Sequence, residues 1–241
     1  MEMTSSSPTV LHADQEHNRL RMVVLLLIIV GVYIGYWVMR WLFALADNTA
    51  DYIYVLSCAG GLPIGLGLSW LVEEGLKRIW PSGNKLALNE TSLELQTREG
   101  ETQTVEWNHH FVITNWHFQL TGYMRGGRER RVQKNWLCLA SQVRQEEARV
   151  IVYTYLAPKK AAVWLADDKS ETAFHEIKAS DIYSNTLRDR FLAPARPDIP
   201  KQVLAGKDGS YWLAERRRWK DGVELTPQDF ATFMEYIKRK A

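Results

Sequence analysis

Two long uncharged stretches dominate the pattern of apolar and polar positions. Residues 22–39 and 52–72 contain no Asp, Glu, Lys or Arg over 18 and 21 positions. At about 1.5 Å of rise per residue, each is long enough to cross a hydrocarbon core of about 30 Å. The pattern predicts two membrane spans, at about 22–42 and 52–72, joined by a tight connection over 47–51. Tyr33, Tyr36, Trp37 and Trp41 gather at the far end of the first span, where amphipathic rings prefer the membrane interface. Arg40 lies among them and can extend its head towards water. It reads as an end anchor rather than a buried functional charge.

Past the breaker cluster Trp80-Pro81-Ser82-Gly83-Asn84 the period changes from helical to alternating. Leu86 and Leu88, then Leu93 and Leu95, alternate around Asn89-Glu90, which reads as strand, turn, strand. Residues 102–107, 111–113 and 116–120 continue the run, with a bend at Asn115. Gly126-Gly127 marks a hairpin turn, and Val132 with residues 136–140 completes five or six short antiparallel strands. Over 141–157, Ala148, Ile151, Val152 and Tyr155 have helical spacing after the polar start Gln145-Glu146-Glu147, so a helix is expected. The β-rich run over 150–155 is the competing reading.

Further on, Phe174 and Ile177 suggest one helix, and Leu187 and Phe191 a second or its continuation. Pro194, Pro197 and Pro200 impose an extended path over 194–200. Asp208-Gly209 and Asp221-Gly222 frame one strand over 210–219. A terminal helix over 226–240 has Thr226 as its cap and Pro227 in its first turn. Phe230, Phe233, Met234 and Ile237 form one face of it. The fold class is thus an α+β membrane protein in four parts. These are an N-terminal cytosolic segment (1–21), a transmembrane hairpin (22–80), an antiparallel β domain (81–157) and a mixed α/β extension (158–241).

Two spans followed by a small β meander and a helix resemble the bacterial pleckstrin-homology-like membrane proteins. The resemblance rests on Leu86-Ala87-Leu88-Asn89-Glu90, residues 93–95, Gly100 and the strand Thr104-Val105-Glu106-Trp107, and covers about residues 20–157. It implies a curved sheet capped by a helix, often serving as a scaffold or protein-binding platform, and carries over no catalytic residue. Residues 158–241 do not fit it and are expected to be an added segment.

Small residues four apart, Gly31 and Gly35 in one span and Gly61 and Gly65 in the other, allow close approach of helix backbones. They serve either to pack the two spans together or to dock them onto another membrane protein. Pro63 is expected to kink the second span. Arg19, Arg21, Lys77, Arg78 and Lys85 flank one side of the hairpin and Arg40 alone the other. The positive-inside bias therefore places both termini in the cytoplasm of an inner (cell) membrane, multi-pass protein. Ala44-Leu45-Ala46 resembles a leader-cleavage site, but a 21-residue polar lead and so long an apolar run argue against a signal peptide. A cytosolic body leaves Cys58 and Cys138 as unpaired thiols.

Composition adds mostly exclusions. The 241 residues carry 30 Lys+Arg against 28 Asp+Glu, too balanced for a nucleic-acid binder. The spans hold no His, Asp, Glu or Lys, which removes the usual makings of a proton relay, an ion site or a haem ligand. No nucleophile-elbow, dinucleotide or phosphate-loop motif occurs. His109, His110 and His117 lack a second ligand pair and read as structural or exposed, and Cys138 as inert core. No catalytic, cofactor or metal residue is assigned, and no cofactor is expected.

Two basic clusters remain: Arg125, Arg128, Arg130, Arg131 and Lys134 about the Gly126-Gly127 turn, and Arg216, Arg217 and Arg218 further on. Beside an inner leaflet they suit anionic headgroups or an acidic partner, the alternative being a solvated hairpin. The expected function is a non-enzymatic accessory subunit or scaffold. It would dock with other integral membrane protein subunits, for instance of a respiratory or photosynthetic assembly, and cover their cytoplasmic face. A lipid- or signal-responsive tethered module is the alternative, and a membrane-bound enzyme comes third.

Overall fold

The structure is a computed structural model that describes residues 8–15, 18–45, 52–123, 132–166, 172–183 and 196–241. The chain forms two compact units, Gln15–Pro81 on one hand and Met1–Asp14 with Ser82–Ala241 on the other.

The first unit is a pair of helices, α1 (Asn18–Leu45) and α2 (Ile53–Ile79). Both are long and apolar enough to cross a membrane. Branched aliphatic and aromatic residues fill their outward faces, and small residues line the seam between them. A Cβ on Gly31 would stand 2.8 Å from the Gly65 carbonyl oxygen, and one on Gly65 would stand 2.5 Å from the Val32 nitrogen. Gly35 and Gly61 meet in the same way. Ser69 Oγ donates to Leu27 O at 3.1 Å and to Gly65 O at 2.8 Å. Contacts 27 with 69, 31 with 65 and 35 with 61 run in opposite directions, so the helices are antiparallel. Helix α2 continues through Pro63 as one element, since the helix carries on with one backbone donor missing.

The second unit is built on two sheets. β1 (Thr9–His12), β2 (Lys85–Leu88), β3 (Ser92–Gln96) and β4 (Thr102–Glu106) form an antiparallel meander in that order. The helical pair is thus inserted in the chain between β1 and β2, whose register pairs Leu11 with Leu86. Reading residues 1–21 as a separate segment is corrected by this pairing. β1 is short, with Leu11 its one buried residue, so alternation gave no signal there.

The second sheet has β5 (Val112–Gln119), β6 (Leu137–Gln145) and β7 (Ala148–Leu156) as an antiparallel centre. β8 (His175–Glu176) joins β5 in parallel and β9 (Val223–Glu224) joins β7 in parallel. Residues 141–157 are therefore strand and hairpin, not helix. Both faces of β6 and β7 are buried, and continuous burial hides the period-two alternation of a half-exposed strand. The hairpin turns at Glu146, whose φ of 49° is left-handed. β5 likewise runs unbroken through Asn115.

Residues 158–241 are not an appendage. They supply both edge strands of the second sheet and helices on both of its faces. Helices α3 (Pro158–Leu165) and α6 (Pro227–Lys238) help to close the core between the two sheets. There Leu86, Leu93, Val105, Leu139, Val150, Phe230 and Phe233 are fully buried. Thr226 Oγ1 accepts from Asp229 N at 3.1 Å, the expected cap of α6. Short α4 (Lys201–Ala205) precedes α5 (Gly209–Asp221). The α5 helix packs into a second core with Trp116, Phe118, Cys138, Ile151 and Tyr155.

Two sequence readings are corrected here. Residues 210–219 are helix rather than strand, because the buried side chains Trp212, Glu215, Arg218 and Trp219 fall at helical spacing. Phe174 and Ile177 flank β8 rather than lie on a helix. Leu187 and Phe191 lie outside the described residues.

Candidate functional site

On the helical pair, the glycines singled out from sequence all lie in the α1–α2 seam. Ser57 and Ser69 extend it, so α2 presents small buried residues at 57, 61, 65 and 69. Sequence reasoning missed these serines because it scored glycines alone. With the seam closed, α1 carries an exposed apolar flank elsewhere. Tyr33, Ile34, Trp37, Val38 and Trp41 line one open groove, and Tyr33, Trp37 and Trp41 are 64%, 49% and 62% exposed. Tyr36 stacks edge-on against Trp37. Arg40 holds its guanidinium 5.4 Å from the Trp37 ring centroid and 5.2 Å from that of Tyr54, a cation–π arrangement at the end of the helix.

In the β unit, the densest polar chemistry surrounds Glu215. Its carboxylate is fully buried and accepts from Trp116 Nε1 at 2.8 Å, Trp219 Nε1 at 2.8 Å and the Tyr123 hydroxyl. Arg218 grips it as a fork, with Nε to Oε2 at 2.8 Å and one terminal nitrogen to Oε1 at 2.7 Å. The same guanidinium lies 4.4 Å from the Tyr153 ring centroid. Burial is the largest single influence and opposes its charge, but Glu215, Cys138 and Tyr155 together outweigh it, and the Arg218 pKa stands well above the usual guanidinium value. Every oxygen of the carboxylate is thereby satisfied from within the fold. The node clamps α5 to β5 and β7, and leaves no acid or base turned outward.

Arg218 is therefore an interior residue and is withdrawn as a surface contact. Arg216 is exposed and reaches Asp198 at 3.5 Å. Arg217 is half-buried. Lys134 is exposed, its carbonyl accepting from Thr121 Oγ1 at 2.9 Å. Arg125, Arg128, Arg130 and Arg131 lie outside the described residues.

His109 and His110 lie in the turn after β4, and His109 approaches Glu106 at 3.4 Å. Among the described residues, no three His, Cys, Asp or Glu side chains converge as a metal set. Cys138 is fully buried in β6. One polar pair escaped the sequence: His175 Nε2 lies 2.7 Å from Asp208 Oδ1 while its ring stacks on Tyr211 at 3.9 Å. The two residues are 33 positions apart, and neither neighbourhood announces the other.

The chain matches no family model, no curated protein and no solved structure, so its class rests on its own architecture: two long apolar helices near the N-terminal end of the sequence, and a unit of two β-sheets with C-terminal helices.

Proposed function

We propose that this chain is a non-enzymatic scaffold or accessory subunit, anchored in the cell membrane by the α1–α2 pair and docked there against another integral membrane protein. The observation that carries the reading is how the helical surface is divided. The small residues are consumed within the pair, where a Cβ at Gly61 would stand 2.6 Å from the Tyr36 nitrogen. What remains on α1 is a groove of Tyr33, Ile34, Trp37, Val38 and Trp41. Large aromatic and branched surfaces gain dispersion and shape contacts from a protein neighbour beyond those that mobile lipid tails provide.

Both termini face the cytoplasm in this account, following the excess of basic residues at that end of the pair. The β body then presents its surface on that side. The four-stranded meander, the three-stranded antiparallel centre and the terminal helix α6 in the core between them support the pleckstrin-homology-like reading as well. Internal use of Glu215 and Arg218 supports a binding rather than a catalytic body, because the buried charges stabilise the fold instead of facing a cleft.

A photoactivatable amino acid at Trp41, introduced into the full chain in its native membrane, tests the docking face. The expected product is one discrete adduct with an integral membrane protein. Adducts with lipid alone would overturn the proposal.

A further inference from the structure

Arg144 is the last residue but one of β6 and Arg149 the second of β7, and the two are direct cross-strand partners. Their side chains therefore leave the same face of the sheet. That is the face α5 covers: Tyr153, Ile151 and Arg149 follow one another along β7 at two-residue intervals, and Arg218 lies over Tyr153. Arg217, the preceding residue on α5, lies close enough to both arginines to feel their charge. Its pKa is lowered from the usual guanidinium value by burial first, and then by the charges of Arg149 and Arg144.

Arg144 and Arg149 are exposed and Arg217 is half-buried. Among the described residues, none of these three guanidinium groups has a carboxylate or other acceptor. Glu146 and Glu147, in the turn between the strands, pair with none of them. One step inward on the same face, Gln142 is 4% exposed and its amide oxygen has no hydrogen-bond partner.

Like charges placed directly opposite on paired strands destabilise a sheet. Three uncompensated guanidiniums gathered at one end of this face therefore form a site that an anion would relieve. Guanidinium forks match the oxygens of a phosphate in paired, charge-assisted hydrogen bonds.

We propose that Arg144, Arg149 and Arg217 form a binding site for a phosphate group. The site belongs to the β unit, and the reasoning for it does not depend on the docking face on α1. A soluble phosphate compound and a phosphorylated lipid headgroup present the same chemistry to it, and the experiment separates them.

The full chain in detergent is titrated calorimetrically with inorganic phosphate and, separately, with a short-chain phosphatidic acid. Saturable binding of at least one is expected. Inorganic phosphate binding marks a soluble ligand, and binding of the lipid alone marks a headgroup. Arg144→Gln and Arg149→Gln each weaken it by about tenfold or more, the loss of one charge-assisted contact. Lys160→Gln, at an exposed site on α3, leaves it unchanged. The bound probe also raises the thermal midpoint of the wild-type chain and not that of the Arg144→Gln/Arg149→Gln variant. No saturable binding of either probe, or full binding by the double variant, would overturn the site.

Discussion

Asn84 Nδ2 donates to Asp14 Oδ2 at 2.6 Å, joining two residues 70 positions apart that bracket the helical insertion. The adjacent Ser82 Oγ donates to Ala13 O at 2.5 Å. Asp14 itself has a φ of 51° and binds β9 twice, its N–H donating to Glu224 O and its carboxylate accepting from Glu224 N, both at 2.8 Å. The chain therefore leaves and re-enters the β unit through one hydrogen-bonded gate, with β1 on the far side of it.

Removal of residues 1–14 takes away an edge strand and the Asp14 carboxylate together. Leu86, buried against that strand's side of the sheet, loses its cross-strand partner Leu11. Faster amide hydrogen exchange in β2 and β9 is expected, measured on the truncated and intact chains. Unchanged exchange in both strands would show that β1 contributes nothing to the body.

The Glu215–Arg218 pair is 0% and 1% exposed at its side chains. Arg218→Met leaves a buried carboxylate without its cation and costs about 3–5 kcal/mol. Joint replacement by Glu215→Leu and Arg218→Met restores part of that loss, because no charge is left stranded. Denaturant unfolding of the three proteins in detergent measures both effects. A double variant that loses the sum of the single losses would contradict the pairing.

In the helical seam, Gly65→Val drives a branched side chain into the Val32 backbone, whereas Gly67→Ala enters space with nothing within 4 Å. Cysteines placed at Leu27 and Ser69, in a Cys58→Ser background, report the seam by disulfide formation. Efficient crosslinking is expected with Gly67→Ala, and its loss with Gly65→Val. Equal crosslinking in both would mean that the glycines do not set the approach.

Tyr236 accepts from Trp107 Nε1 at 2.6 Å and donates to Ser92 O at 3.0 Å and to Asn89 O. Burial raises its pKa from the ordinary phenol value of 10.0, against smaller opposing effects of the Trp107 hydrogen bond and Arg239. The folded state thus holds its proton where the unfolded chain has released it. Stability from this group is full below the unfolded value of 10.0 and is lost as pH rises from there through the raised folded value. Tyr236→Phe should flatten that alkaline decline in a series of unfolding curves. A decline of the same slope in the variant would assign the effect elsewhere.

The two long apolar helices, the β2–β4 meander and α6 were legible in the sequence, because each carries its own period and its own breakers. Thr226-Pro227 states where α6 begins, and Trp80 to Asn84 states where the meander begins. The β6–β7 hairpin was not legible, since Glu146 takes a left-handed turn that Gly or Asn would have advertised. Helix α5 was concealed for another reason. Two of its inward positions are Glu215 and Arg218, which satisfy each other inside the fold and look like surface residues in a list of letters. The glycines of the seam were visible, but whether they met each other or a partner was a question only the register could answer. The arginine cluster of 144, 149 and 217 joins residues more than 60 positions apart, with no local pattern to tie them.

The central claim is that the chain works as a subunit docked in the membrane. Native mass measurement after gentle detergent extraction tests it most directly. The account expects a stoichiometric complex of this 27.8 kDa chain with a distinct integral membrane protein, dissociated by Trp37→Ala/Trp41→Ala. A lone chain, or a complex untouched by that variant, would contradict it.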